Sequence, residues 1–166
     1  MPVSGSIRFA FAAGTVALGL AACGTGGPVL DAEVPASAVV VDEPSAAAAI
    51  SRYRAQHGLG PVVIDPRLIR AASLQAEANA KAGRLSHELG GTFDARMAQA
   101  GFGRVHTAEN LSAGSETFDQ VLGRWKASSE HNRNMLIPQL TRVGIARVDA
   151  PETRFKRYWA LVLAGE

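Results

Sequence analysis

A single cysteine, Cys23, stands in a chain of 166 residues. No disulfide can therefore form within the chain, and its fold must be held by packing and hydrogen bonds alone. The cysteine follows an uncharged stretch of 14 residues from Phe9 to Ala22, with Arg8 just before it. That stretch falls short of the roughly 20 residues needed to span a bilayer as a helix, and it suits the apolar region of a signal peptide. Residues 1–22 are accordingly read as a leader and left out of the fold. With 47% apolar and 19% charged residues, the remainder suffices for one ordinary core and is too short for two. Aromatics make up only 6%, so Ala, Val, Leu and Ile must fill that core. Small side chains of this kind favour helices packed closely on a small sheet. The 17 Lys+Arg against 15 Asp+Glu are a near balance, which gives no ground for a nucleic-acid partner.

The run Leu20-Ala21-Ala22-Cys23 resembles the lipobox of bacterial lipoproteins, in which the cysteine thiol receives a diacylglyceryl group and becomes the new N-terminus. The resemblance implies an exported chain, anchored to the membrane through lipidated Cys23 and facing the periplasm or the cell exterior. The alternative is a plain secretory signal with an incidental cysteine. Residues 23–44 then read as a tether, with three Gly, three Pro and four acidic residues but no basic one between Gly24 and Pro44. As a flexible coil it would reach roughly 25 Å. Within it, Val39-Val40-Val41 is the one run suited to docking on the domain, which is expected over residues 45–166.

The domain opens at Ser45, read as a helix N-cap before a face of Ile50, Tyr53 and His57, and Gly58, Gly60 and Pro61 end that helix. Asp65 followed by Pro66 is the strongest local signal, a cap and first-turn proline ahead of an alanine-rich helix running to Gly83. Thr92 caps a short helix with Phe93 and Met97. Thr117 and Gln120 form a capping box for a fourth helix, whose face is Phe118, Val121, Leu122 and Trp125. The period then switches to two: Arg142 to Val148 and Arg157 to Leu163 read as antiparallel strands around a turn at Pro151 and Glu152. In the second strand Tyr158, Ala160 and Val162 share one face, while Trp159, Leu161 and Leu163 share the other. Both faces are apolar, so both need cover. The predicted fold is therefore α+β, a three-layer α-β-α sandwich with a small antiparallel sheet.

Polar residues between these elements collect at Ser86-His87, at Glu109-Asn110, along Trp125 to Leu136, and at Thr141 to Gly144. In that order and spacing they resemble the bacterial branch of the CAP superfamily (cysteine-rich secretory protein, antigen 5 and pathogenesis-related; SCP-like) over about residues 46–164. The most specific piece is Trp-x-x-Ser-x-x-His-x-x-Asn-Met/Leu, matched in full from Trp125 to Met135. The resemblance implies the CAP fold in an extracellular domain, with a cleft of histidines and acidic residues that sometimes holds zinc or another divalent cation. His87 matches the first cleft histidine, Glu109 the glutamate of the Gly-Glu-Asn signature, and His131 the histidine of the Trp-Ser-His motif. Three departures are visible. Ala108 replaces the usual glycine, Ser128 stands where eukaryotic members have a second glutamate, which leaves only Glu130 to substitute, and Gln139-Leu140-Thr141 replaces their second histidine before an aromatic-Thr pair.

Each candidate also has a structural reading. If the fourth helix persists, His131 could cap its C-terminus against the dipole; Glu109-Asn110 could be an exposed turn pair; His87 could be a surface loop residue. The first functional reading is a binding module, not an enzyme, whose ligand-binding residues are His87, Glu109, Asn110, Ser128 and His131, taking a divalent cation, a small apolar ligand or a cell-envelope partner. The second is a metal-assisted hydrolase of peptide or envelope polymer, with Zn2+ or another divalent ion on His87 and His131, Glu109 polarising a water, and Glu130 as a further candidate. A serine hydrolase built on Ser86-His87 is disfavoured, since sequence neighbours seldom aim at each other and there is no Gly-x-Ser-x-Gly elbow.

Overall fold

A computed structural model describes residues 35–165 of the chain. The leader 1–22, Cys23 and the tether as far as residue 34 lie outside the described residues. The strand with two apolar faces settles the layering. Strand β5 (Lys156–Ala164) is buried along most of its length and sits inside the sheet, between β4 (Arg142–Ala150) and β3 (Thr107–Ala113), antiparallel to both. Trp159, Leu161 and Leu163 face one core, shared with α1 (Glu43–Gln56), α4 (Phe118–Ala127) and α5 (Ser129–Met135). Tyr158, Ala160 and Val162 face the other, shared with α2 (Pro66–Ala82) and α3 (Phe93–Gln99). The fold is the expected α-β-α sandwich, since helices must cover both faces of a strand that is apolar on both.

Sheet order is β1-β4-β5-β3, with β1 (Ser37–Val39) antiparallel to the far end of β4 and β2 (Val63–Ile64) parallel to its beginning. Two expectations change here. The segment before residue 45 joins the domain: Val39 pairs with Arg147, and Val41 is buried in the α1 core while Val40 between them is 97% exposed. Strand alternation explains that pattern. Residues 37–44 thus belong to the domain and not to the tether. The first helix also begins earlier than expected. Asp42 is its cap, accepting from the Ser45 backbone N–H at 3.0 Å and from the Ser45 hydroxyl at 2.7 Å, with Pro44 in the first turn. Ser45 is thus the partner of the cap and not the cap itself.

Asp65 caps α2 as read, and Gly83 closes it in the left-handed region at φ 62°. Thr92 caps α3, and the Thr117–Gln120 box caps α4. The alanines of α2 bring its backbone against β4 at Gly144. A Cβ at that glycine would lie 2.1 Å from the Leu68 carbonyl carbon and 2.2 Å from the Ile69 nitrogen. These are backbone atoms that cannot turn aside, so only glycine permits the contact. At α4 the sequence had left open whether the helix runs on to His131. It does not: Ser128 is extended (φ −92°, ψ 123°) and separates α4 from α5.

Trp125 is fully buried in the core beneath α1, and its Nε1 donates to the Leu111 carbonyl at 3.3 Å. Trp125→Ala is expected to cost about 3–5 kcal/mol, the usual loss for a buried aromatic, read as a lowered chemical-denaturation midpoint. A midpoint at the wild-type position would mean that the ring is not part of the core.

Candidate functional site

Glu109 and Asn110 sit on β3, the edge strand, and not in the exposed turn that the sequence left open. Ala108 fits that strand as a core residue; Lys156 is the only non-glycine residue at positive φ among the described residues. Successive strand residues point to opposite faces. Glu109 therefore faces the α2–α3 layer and Asn110 the α4–α5 layer, and each holds one of the two histidines.

On the first face, Glu109 Oε1 lies 2.7 Å from His87 Nδ1 and its Oε2 accepts from Arg96 at 2.8 Å. The Glu109 and Arg96 side chains are 2% and 5% exposed, whereas that of His87 is 53% exposed. A carboxylate accepts, so His87 Nδ1 carries the proton and Nε2 is the ring nitrogen left for a ligand. The loop bearing His87 is fixed from α2: Gln75 donates to the Ser86 carbonyl, and the Asn79 side-chain oxygen accepts the Ser86 N–H at 2.6 Å. Both amides are buried. Arg96 adds hydrogen bonds to the carbonyls of His87, Leu89 and Gly91. The Ser86 hydroxyl accepts from the Glu88 N–H, so it is engaged within its own turn.

On the second face, Asn110 Nδ2 donates to the His131 carbonyl at 2.9 Å, and Asn134 Nδ2 donates to Asn110 Oδ1 at 2.9 Å and to the Glu109 carbonyl at 3.2 Å. His131 lies in the first turn of α5, half-buried, so the reading of it as a C-terminal cap fails once the helix breaks at Ser128. Of the other candidates, Ser128 is half-buried at the α4–α5 junction with no side-chain capping bond, and Glu130 is exposed. His57 closes α1 with its ring edge against Tyr53, and His106 is exposed ahead of β3.

The two imidazoles are shifted in opposite directions. The hydrogen bond to Glu109 raises the His87 pKa above its ordinary value, against a lowering by burial and by Arg96, while the charge of Glu88 raises it slightly further. Burial lowers that of His131, and the charge of His87 lowers it again, with Glu130 acting weakly the other way.

As a metal site the donors fall short. Both Glu109 oxygens are occupied, and among the described residues no three His, Cys, Asp or Glu side chains converge. What remains is at most a pair of imidazoles, fewer than the three protein ligands of a usual catalytic zinc site or the four of a structural one. Sequence reasoning missed Arg96, Gln75 and Asn79, because each acts on a residue in another element and no local spacing marks it. Asn134 was within reach, since it belongs to the matched run from Trp125 to Met135.

Four comparisons bear on this geometry. The profile of the cysteine-rich secretory protein family, CAP, matches residues 47–163. The uncharacterized protein YkwD of Bacillus subtilis is 28% identical over 100 residues, 58% of this chain, and the match spans about 38% of the length of that protein. Among solved structures, an outer surface protein of Borrelia burgdorferi superposes with a TM-score of 0.68 at 19% identity, covering 80% of this chain and 99% of its own. An extracellular protein of Bacillus anthracis containing an SCP domain gives 0.64 at 17% identity, covering 78% of this chain and 45% of its own. At these identities the structures speak for the fold.

The opposed shifts carry a sign. A raised histidine value means that His87 contributes stability below about pH 6.5, the unfolded value. That contribution is lost as pH rises through the higher folded value, and it is small because the ring is half exposed. In an NMR titration His87 is expected to protonate above about 6.5 and His131 below it. In Glu109→Gln an amide oxygen can still accept from Nδ1–H, but the negative charge that favours the imidazolium is gone while burial and Arg96 remain, so the His87 midpoint should fall below that of the wild type. An unchanged midpoint would break the Glu109–His87 link.

Proposed function

The chain belongs to the CAP, or cysteine-rich secretory protein, family, and from that premise we propose that it is an exported binding module, anchored through Cys23, whose cleft between His87 and His131 holds a polar group of a cell-envelope component. The observation that carries this reading is the pair of imidazoles presented from opposite sides of one edge strand, one favoured in its charged state and the other in its neutral state. Such a pair can donate a hydrogen bond from His87 and accept one at His131, which suits hydroxyl and amide groups. Relatives described as extracellular and outer-surface proteins support the location, as does the leader read over residues 1–22. Among the described residues no helix is long and apolar enough to cross a membrane.

The metal-assisted hydrolase reading has less support. Glu109 would have to take a proton from a water, but its oxygens are held by His87 and Arg96 and its side chain is nearly closed to solvent. A cation held by the two imidazoles alone is the remaining metal reading, and removing metal separates it from direct binding. The full chain should sediment with an insoluble cell-envelope fraction and should do so equally well in chelator. His87→Ala/His131→Ala should reduce retention about tenfold, as expected for losing one charged or two ordinary hydrogen bonds. Retention abolished by chelator and restored by zinc would replace this reading with the cation one.

The anchor has its own test. A diacylglyceryl group together with an N-acyl chain exceeds the two signals needed for stable membrane attachment. Expressed in a bacterium, the wild-type chain should incorporate a fatty-acid probe and fractionate with membranes, whereas Cys23→Ser should do neither. An unlabelled, freely soluble wild type would leave only the plain secretory signal.

A further inference from the structure

On the sheet face away from α1, α4 and α5, a groove of about 330 Å³ lies between α2 and α3. Its walls include Arg67, Arg70, Ala71 and Leu74 from α2, and Arg96 and Ala100 from α3 and its cap, with no aspartate or glutamate. The α2 residues are spaced i, i+3, i+4 and i+7 and so form one stripe. The stripe is cationic at one end and apolar at the other, where Leu74 is 60% exposed. A lone exposed leucine means little; here it is joined to a cavity whose volume lies in the range of small-ligand sites.

The three guanidinium groups are not equally spent. Arg67 is paired with Asp65 at 2.7 Å and stacks 4.2 Å from the centre of the Phe102 ring. Arg96 is nine-tenths buried and holds Glu109 and three carbonyls through its terminal nitrogens, yet its buried Nε has no partner. Arg70 is exposed and makes no ion pair among the described residues. The groove therefore carries an uncompensated positive charge beside an apolar wall. Guanidinium is also the side chain best shaped to take a carboxylate or phosphate in two parallel hydrogen bonds.

We propose that the α2–α3 groove is a second binding site, for a small amphiphilic anion whose carboxylate or phosphate head sits on Arg70 and whose apolar chain lies over Ala71, Leu74 and Ala100. Neither Arg70 nor Leu74 belongs to the hydrogen-bonded chain that holds the histidines, so this site stands or falls independently of the cleft.

Calorimetry on the purified full chain tests it with octyl phosphate and octanoate as amphiphiles, and with octanol and inorganic phosphate as the separated halves. Saturable binding of at least one amphiphile is expected, about tenfold or more tighter than either half, since one charge-assisted hydrogen bond is worth roughly a factor of ten. Arg70→Ala should lose about that factor, and Leu74→Ser should weaken binding several-fold. Both residues are exposed, so each variant should keep the wild-type thermal midpoint, which is measured alongside. The proposal is overturned if neither amphiphile binds saturably, or if the Arg70→Ala/Leu74→Ser double variant binds as the wild type does.

Discussion

An edge strand offers unpaired backbone groups to any chain that approaches it, and β3 is closed by side chains instead of by another strand. Asn134 donates to the Glu109 carbonyl, Trp125 to that of Leu111 and Arg124 to that of Ala113, at 3.1–3.3 Å. All three donors come from the α4–α5 segment. The helices therefore protect the edge and are at the same time registered against it. Because β3 also carries Glu109 and Asn110, the same latch sets how His131 on α5 stands relative to His87 in the loop after α2. The run from Trp125 to Met135 is thus a device for closing a sheet edge as well as the source of candidate site residues.

The other end of α5 is held by a buried cation. Arg54 on α1 has no solvent exposure, and its hydrogen bonds go to carbonyls: Gly60 at 2.9 Å, Met135 at 2.7 Å, Ile137 at 3.0 Å, Leu140 at 2.8 Å and, at 3.5 Å, Pro138. Burying a guanidinium is costly unless its donors are satisfied, and here they are met by the chain that leaves α5. A positive charge there also complements the negative end of that helix. The arrangement cross-links α1 to a segment more than eighty residues away. In a chain with one cysteine, such a polar staple does what a disulfide would otherwise do, and it is most costly to disturb because removing the arginine would leave several carbonyls unpaired.

The sequence made legible those parts of the fold that depend on neighbours along the chain. The caps at Asp65, Thr92 and Thr117 were visible because each works within three residues, and the layers because β5 alternates two apolar faces. The break at Ser128 was not visible, since no glycine or proline marks it. Glu109-Asn110 did not read as strand because two adjacent polar residues interrupt the apolar alternation, and their burial depends on partners 13 to 25 positions away. For the same reason Arg54 and Arg96 look like any other surface arginine in sequence. The resemblance to the CAP family located the histidines, but their electrostatic asymmetry depends on which face of β3 each one meets.

That asymmetry bears on what the two histidines could hold under the proposed function. The Glu109–Arg96 pair is internally compensated, so a proton on His87 adds a positive charge at the rim while its hydrogen bond keeps it there. A second proton on His131 is opposed by burial and by the first. The two shifts therefore make His87 the first of the pair to protonate as pH falls and His131 the second. A divalent cation would meet His87 at Nε2, with the Nδ1–H bond to Glu109 left in place to orient the ring, so what limits a metal here is a donor set that supplies no third ligand among the described residues. A hydroxyl or amide, as proposed above, needs no third donor, because it can bond to the two rings alone. What would separate an uncharged polar ligand from a metal ion under the proposed function is thus the number of donors that converge, and not the neighbour of His87.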